Sequence, residues 1–437
     1  MENDTFIFSG WQIGVENKTA TFSYSLIHGT KRFEFIEVLE LPKALSHNTL
    51  AKAKPAFDFL ALALGVSYWK TFCPKKIEIP FISLSKWQAD FWNTVYTKGL
   101  GEFFYKNKID FRDLVNFPTS GERTVIDLTY HNCDRLDLSQ QNKTLVLLGG
   151  GKDSLVSAEL LRGEGREFSF FSLGNFPLIK ETAEISGAEL ITLKRVIDPK
   201  LLELNKRPDV YNGHVPISLI YSGTAILTAL IYGFNKVIIS AESSASYGNV
   251  EYLGETINHQ WSKSEEAEKL LRNYFSNFIR GNVVFRSIIR QFSELEVAEL
   301  FSKYPKYFDV FSSCNKNFLI TKNKSNKKWC GECPKCAFVF AILAPFIPKS
   351  KLVSIFGKNL FADDKLLPTY RELLGLEAVK PFECVGTPEE VALAFLLSHK
   401  KGEYKEDVAM KQFVSSLEKD FNRINDSKKL ILPDYEA

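Results

Sequence analysis

The chain has 437 residues, 45% of them hydrophobic and 13% aromatic, which allows sizeable cores and excludes a disordered composition. Its 55 basic and 52 acidic residues leave a net charge of +3, so no global field points to nucleic acid or to an anionic membrane surface. A chain this long does not need disulfide staples for its seven cysteines, and the opening MENDTFIFSG is polar and acidic rather than a secretory signal, so the expected setting is the reducing cytoplasm.

Residues 5–27, TFIFSGWQIGVENKTATFSYSLI, alternate apolar and polar side chains around Glu16-Asn17-Lys18, a hairpin pattern, and RFEFIEVLEL (32–41) predicts a further strand. Helices are expected over 55–69 and 81–105, the spaced aromatics of the second reading as core. The polar DRLDLSQQNK (134–143) predicts a linker after an N-terminal α+β domain spanning 1–140. From residue 144 the pattern changes. TLVLL (144–148), EFSFFSL (167–173), ELITLKRV (189–196), KVIIS (236–240) and NVVF (282–285) are short apolar runs. Helical stretches at 153–162, 177–187, 215–233 and 264–280 separate them, and 293–303 follows. That alternation predicts right-handed βαβ crossovers and a doubly wound parallel sheet, an α/β domain over 144–310. ISLIYSGTAILTALIYGF (217–234) carries no charge over 18 residues, the minimum for a membrane span. Its serines, threonines and glycines, the preceding Pro216 and the strand that follows predict a helix buried against the sheet, with no membrane partner. Beyond Cys336 the chain reads as helical, giving a third region over 311–437, and Thr387-Pro388-Glu389-Glu390 predicts a capping box.

LVLLGGGKDSLVSAELL (145–161) runs from strand to glycine-rich turn to helix, the arrangement in which proteins hold phosphate. Gly149, Gly150 and Gly151 let backbone N–H groups close on an anion, Lys152 adds charge and Ser154 a hydroxyl. The familiar GxxxxGK[ST] loop does not fit, because Asp153 follows Lys152. A carboxylate there repels a bare phosphate, so it belongs beside Mg²⁺ or caps the helix. Ligands on parallel sheets bind beyond the carboxyl ends of the strands, where SLGNF (172–176, with Ser172 and Gly174) and AESSASYGN (241–249) also fall. The polar run 240–268 carries Glu242, Ser243, Ser244, Asn249, Asn258, His259, Lys263 and Ser264 and reads as a substrate-binding loop; His214, in YNGHVP, is expected at the same cleft. Cys314, Cys330, Cys333 and Cys336 supply four thiolates, the number tetrahedral zinc needs, although the two successive x2 spacings also suit an iron–sulfur cluster. The lysines at 316, 322, 324, 327 and 328 read as a solvated loop beside those cysteines rather than an RNA contact.

GGGKDS resembles the SGGxDS signature of the PP-loop ATP pyrophosphatase superfamily over roughly residues 144–290, with Gly149 standing where the family has Ser. The resemblance implies that ATP binds there with Mg²⁺ and is split into AMP and pyrophosphate as a substrate oxygen is adenylated. WCGECPKC is similar to the zinc knuckle of the 7-cyano-7-deazaguanine synthases in that superfamily. GGGKDS, NGHVP (212–216), SAESSASYGN (240–249), NHQWSKS (258–264), WCGECPKCAFVF (329–340), KPFECVGTPEE (380–390) and ALGVSYWK (63–70) together resemble the MurL family of ATP-dependent UDP-N-acetylmuramoyl-L-alanyl-L-glutamate epimerases. That likeness implies a UDP-linked muramoyl dipeptide as substrate, an acyl-adenylate of its terminal glutamate, and general bases for the α-hydrogen. Glu242, His259 and Lys263 are the residues to examine as bases, with hydrogen bonding to substrate as the alternative for each. The competing expectation is a superfamily enzyme that adenylates a nucleobase or tRNA.

Overall fold

The computed structural model describes residues 4–119, 143–279, 283–317 and 327–425. The chain forms two compact units, Met1–Gln291 and Phe292–Ala437.

The first unit opens with an antiparallel meander of β1 (Thr5–Ile13), β2 (Thr19–His28) and β3 (Lys31–Glu40). Period-two alternation drives it, since Phe6, Phe8, Phe22 and Tyr24 point to one buried face. Helix α1 (His47–Trp69) follows. It begins before Pro55, where sequence alone starts it, because the Ser46 side chain accepts from the Thr49 N–H and caps the first turn. Pro55 is tolerated inside because Ala51, whose carbonyl loses its partner, is exposed to water. After β4 (Lys76–Glu78), which pairs parallel with β1, the single helix expected over 81–105 is two, α2 (Lys86–Gly99) and α3 (Gly101–Asn107). Gly99 and Gly101 flank the break for a packing reason. A Cβ on Gly99 would lie 3.0 Å from Pro216 and one on Gly101 3.3 Å from Ile257, so the junction of the two helices sits hard against two segments that come later in the chain. The aromatics of this stretch are core, with Phe91 and Trp92 packed on Phe59 of α1.

The remainder alternates strand and helix: β5 (Thr144–Leu147), α4 (Lys152–Gly163), β6 (Phe168–Leu173), α5 (Pro177–Ser186), β7 (Leu190–Val196), α6 (Pro199–Leu204), α7 (Ile217–Tyr232) and β8 (Lys236–Ile239). A small hairpin, β9 (Val250–Tyr252) and β10 (Glu255–Ile257), then precedes α8 (Glu265–Phe278) and β11 (Val284–Ser287). Strands β11-β8-β5-β6-β7 are mutually parallel, as expected of an α/β fold. Helix α7 packs against α1 and the sheet as the expected buried helix, and no described helix is long and apolar enough to cross a membrane.

The boundary expected near residue 140 does not separate two sheets. β3 pairs antiparallel with β7, so nine of the eleven described strands form one sheet in the order β11-β8-β5-β6-β7-β3-β2-β1-β4. A buried network fastens that seam. Arg195 donates from Nε to Glu37 Oε1 at 2.5 Å, and Tyr68 Oη donates to Glu37 Oε2 at 2.8 Å. The linker expected at 134–143 lies, up to residue 142, outside the described residues.

The second unit is helical: α9 (Glu294–Ser302), α10 (Pro334–Leu343), α11 (Lys349–Phe356), α12 (Leu367–Leu373), α13 (Pro388–Lys401) and α14 (Val408–Asn425). It begins at Phe292, before the expected 311, so α9 belongs to this helical unit rather than to the sheet. The capping box on α13 forms between Thr387 and Glu390 as its sequence predicts. Helix α10 is buried on nearly every side, and α9, α12 and α13 pack around it.

Candidate active site

Strand β5 delivers the chain into Gly149-Gly150-Gly151 at its carboxyl end. Gly150 adopts φ +83°, a left-handed conformation open to glycine, and Gly151 is the N-cap of α4. Gly151 brings no capping side chain to the first turn of α4, the end of a helix that favours an anion. Lys152 is buried and its Nζ meets Asp153 Oδ1 at 2.5 Å, while Ser154 Oγ donates to the Gly151 carbonyl at 3.0 Å. The neighbouring strand end is braced similarly, with Ser172 Oγ donating to the Gly174 carbonyl at 3.1 Å and Gly174 at φ +105°. These two loops and the one after β8 lie at the carboxyl ends of adjacent parallel strands. Between β5 and β8 the strand order reverses, the switch point where such sheets open a crevice.

Glu242 leaves β8 at that crevice. It is buried, and one of its carboxylate oxygens lies within 4.8 Å of one from Asp153. Two carboxylates at that spacing are a donor set for a hard divalent cation such as Mg²⁺. The loop that follows is pinned by Arg290, a residue sequence reasoning passed over. Its guanidinium donates to the Glu242 carbonyl at 2.6 Å and the Lys263 carbonyl at 2.8 Å, and is itself held by Glu268 at 2.8 Å. Several residues expected to bind substrate brace this loop. Asn249 Oδ1 accepts the His259 N–H, Asn258 Nδ2 donates to the Ala245 carbonyl, and Ser264 caps α8. Ser244 is buried, Ser243 exposed and Lys263 half-buried.

The same loop brings His259 onto Glu102 of α3, its Nδ1 2.5 Å from Oε2, and His214 enters from before α7 with Nδ1 3.3 Å from the same oxygen. Lys106 holds the other oxygen, Oε1, at 2.6 Å. Burial opposes the Glu102 charge, but the hydrogen bond and charge of His259, with His214 and Lys106, outweigh it and hold the carboxyl down at about 2. Burial, aided by the His259 charge, pushes His214 down to about 3. Nearby, Lys70 donates to the Gly213 carbonyl at 2.9 Å and Asn212 Oδ1 at 3.2 Å, and burial lowers its ammonium to about 8. Glu102 is not marked out by sequence, and Lys70 is so only as the last residue of ALGVSYWK. An acidic residue in a helix's first turn is ordinary, and only the fold gives it its neighbours.

In the second unit, Cys314, Cys330, Cys333 and Cys336 converge with all four Sγ within 4.8 Å of one another. Cys336 Sγ lies 3.6 Å from Cys330 Sγ and 3.5 Å from Cys333 Sγ. A single tetrahedral ion with Zn–S near ~2.3 Å spaces its sulfurs on this scale. A cluster of several irons spreads its thiolates wider, so the geometry favours zinc. Of the lysines expected beside the knuckle, 322 and 324 lie outside the described residues, while Lys316 pairs with Glu332 at 3.2 Å.

Known protein families match along most of the chain. The family described as the MurL N-terminal domain matches residues 1–288, and the MurL C-terminal domain matches 310–428. A protein of Xanthomonas oryzae pv. oryzae named UDP-N-acetyl-alpha-D-muramoyl-L-alanyl-L-glutamate epimerase is 37% identical, over 95% of this chain and 90% of its own. Proteins of the same name from Micromonospora sp. (36%, over 95% and 91%) and Salinispora tropica (38%, over 90% and 84%) are similarly related. Both units are thus accounted for, and the chain belongs to the MurL family of epimerases.

Proposed function

We propose that this epimerase inverts the terminal L-glutamate of UDP-MurNAc-L-Ala-L-Glu to D-glutamate through an acyl-adenylate, serving peptidoglycan precursor synthesis. The observation that carries this reading is the convergence of the glycine loop of β5 and the Glu242 loop of β8 at the sheet's switch point. That strand order and the GGGKDS loop support a PP-loop ATP pyrophosphatase ancestry.

The chemistry answers a specific difficulty. The α-hydrogen of a glutamate whose adjoining carboxylate keeps its charge is very weakly acidic. A glutamyl carboxylate oxygen attacks the α-phosphorus of ATP and pyrophosphate leaves, giving a mixed anhydride. With the carboxylate neutralised, loss of the α-proton places the electron pair on the carbonyl as an enolate. A proton returns to the opposite face, and water then releases AMP and the D-glutamyl carboxylate. The N–H groups of Gly149–Ser154 and the start of α4 cradle the departing pyrophosphate, and Lys152 balances its charge. Asp153 and Glu242 would hold Mg²⁺, which when bound supplies charge neutralisation on the phosphates. The four cysteines would hold a structural Zn²⁺ in the second unit.

Asp153→Ala is expected to cut substrate-dependent AMP and pyrophosphate release by about 10²-fold or more while the protein stays folded. Release of ADP and orthophosphate by the wild type would overturn the adenylation reading.

A further inference from the structure

The phosphate loop leaves one cluster of proton-carrying groups without a role: Glu102, His214 and His259. Three separate elements deliver it. α3 brings the carboxylate, the segment before α7 brings His214, and the segment after β10 brings His259. The side chains of His259 and His214 keep 13% and 15% of their surface open, whereas Glu102 keeps 7%. The carboxylate is thus the most enclosed of the three groups, and both imidazoles keep some exposed surface. A buried ionic group of this kind is poor evidence for stability, since well-packed apolar residues of similar volume commonly serve as well or better.

Resting on the adenylation reading above, we propose that His259 moves the proton at the glutamyl α-carbon on one face of the substrate, with Glu102 as its positioning residue and His214 completing the same side. In the neutral form of His259, an anionic Glu102 at Nδ1 selects the tautomer with hydrogen on Nδ1, so that Nε2 carries the lone pair. As the Cα–H bond breaks, its electron pair moves into the enolate and the proton forms an Nε2–H bond. The imidazolium charge that develops is balanced by Glu102 across 2.5 Å. Reprotonation reverses these bonds. The rings of His214 and His259 lie 4.7 Å apart centroid to centroid, inclined at 52°, and both present Nδ1 to one oxygen. No Cα fits between rings that close, so the pair serves one face and a different group serves the other. Lys106 holds Glu102 at 2.6 Å and Lys70 adds a second ammonium near His214, so cationic groups crowd this carboxylate and its imidazoles.

The test uses the full chain with ATP and Mg²⁺ in D₂O, given the L-glutamyl substrate and, separately, its D epimer. His259→Gln is expected to lower epimerisation by roughly 10²-fold or more, keep AMP release within about threefold of wild type, and still exchange α-hydrogen for deuterium from one epimer alone. Glu102→Gln is expected to lower kcat by about 10²-fold with KM little changed, and to raise the kinetic isotope effect of α-deuterated substrate. Glu102→Asp is expected to recover part of that rate and, should Glu102→Gln fail to fold, carries the test in its place. Four results would overturn the proposal. They are near-wild-type epimerisation by folded His259→Gln, equal exchange from both epimers in that variant, AMP release lost together with epimerisation, or a stoichiometric transition-metal ion that His259→Gln removes. If the wild type epimerises without AMP release, the adenylation reading fails by itself, and the exchange pattern still judges His259.

Discussion

Gly149 and Gly150 are adjacent glycines with different jobs. Gly150 sits at φ +83°, so Gly150→Ala forces a left-handed alanine, expected to cost about 1–2 kcal/mol in urea unfolding and to impair AMP release. A Cβ at Gly149 meets nothing within 4 Å, and its backbone is outside the left-handed region. Gly149→Ser is therefore expected to fold with stability within about 0.5 kcal/mol of wild type, and to bind ATP as well or better. His214 makes a separate prediction. Held neutral until about pH 3, it refuses a proton that the unfolded chain takes near 6.5. Its contribution is whole above pH 6.5 and lost as pH falls toward 3, at up to about 1.4 kcal/mol per unit. Urea midpoints are expected to drop over that window, with a shallower slope in His214→Asn. Glu102 adds to the trend lower down, losing its contribution as pH falls toward about 2. The glycine loop could be read from sequence because strand, turn and helix are contiguous. Glu102 could not, because its partner His259 is 157 positions away.

Among elements, the seam between β3 and β7 joins a backbone ladder to a buried ion pair. Glu37 is fully buried, and Arg195 binds it at both oxygens, Nε to Oε1 at 2.5 Å and Nη2 to Oε2 at 3.3 Å. Arg195→Met leaves an uncompensated charge and is expected to cost about 3–5 kcal/mol in denaturant unfolding, with the Glu37→Gln, Arg195→Met double variant losing less. This seam is the part of the fold that was hidden. Hydrophobic alternation predicts each strand by itself, but nothing local in RFEFIEVLEL or ELITLKRV says that they pair. The helix starts show the opposite failing, where a local signal was present and outweighed. Pro55 looks like a first helical position, yet Ser46 caps the helix earlier, and the capping box of Ser85 and Gln88 sets the start of α2.

For the whole molecule, composition and pattern were enough to place a parallel α/β sheet and a helical C-terminal region, because both arise from short-range periodicity. The extent of the sheet and the constellation of the site were not, since strand pairing and side-chain convergence join distant segments. The second unit carries its own expectation. Metal analysis is predicted to find one zinc per chain, and Cys333→Ser to abolish it and lower the unfolding temperature of the transition that includes residues 292–437.

The central claim is that inversion at the glutamyl α-carbon is driven through an adenylate. Its most direct measurement follows AMP, pyrophosphate and the configuration of glutamate when the chain is given ATP, Mg²⁺ and UDP-MurNAc-L-Ala-L-Glu in D₂O. The predicted result is D-glutamate bearing α-deuterium, with at least one AMP and one pyrophosphate released for each inversion. Formation of D-glutamate without AMP, or AMP release with neither inversion nor deuterium uptake, would contradict the account.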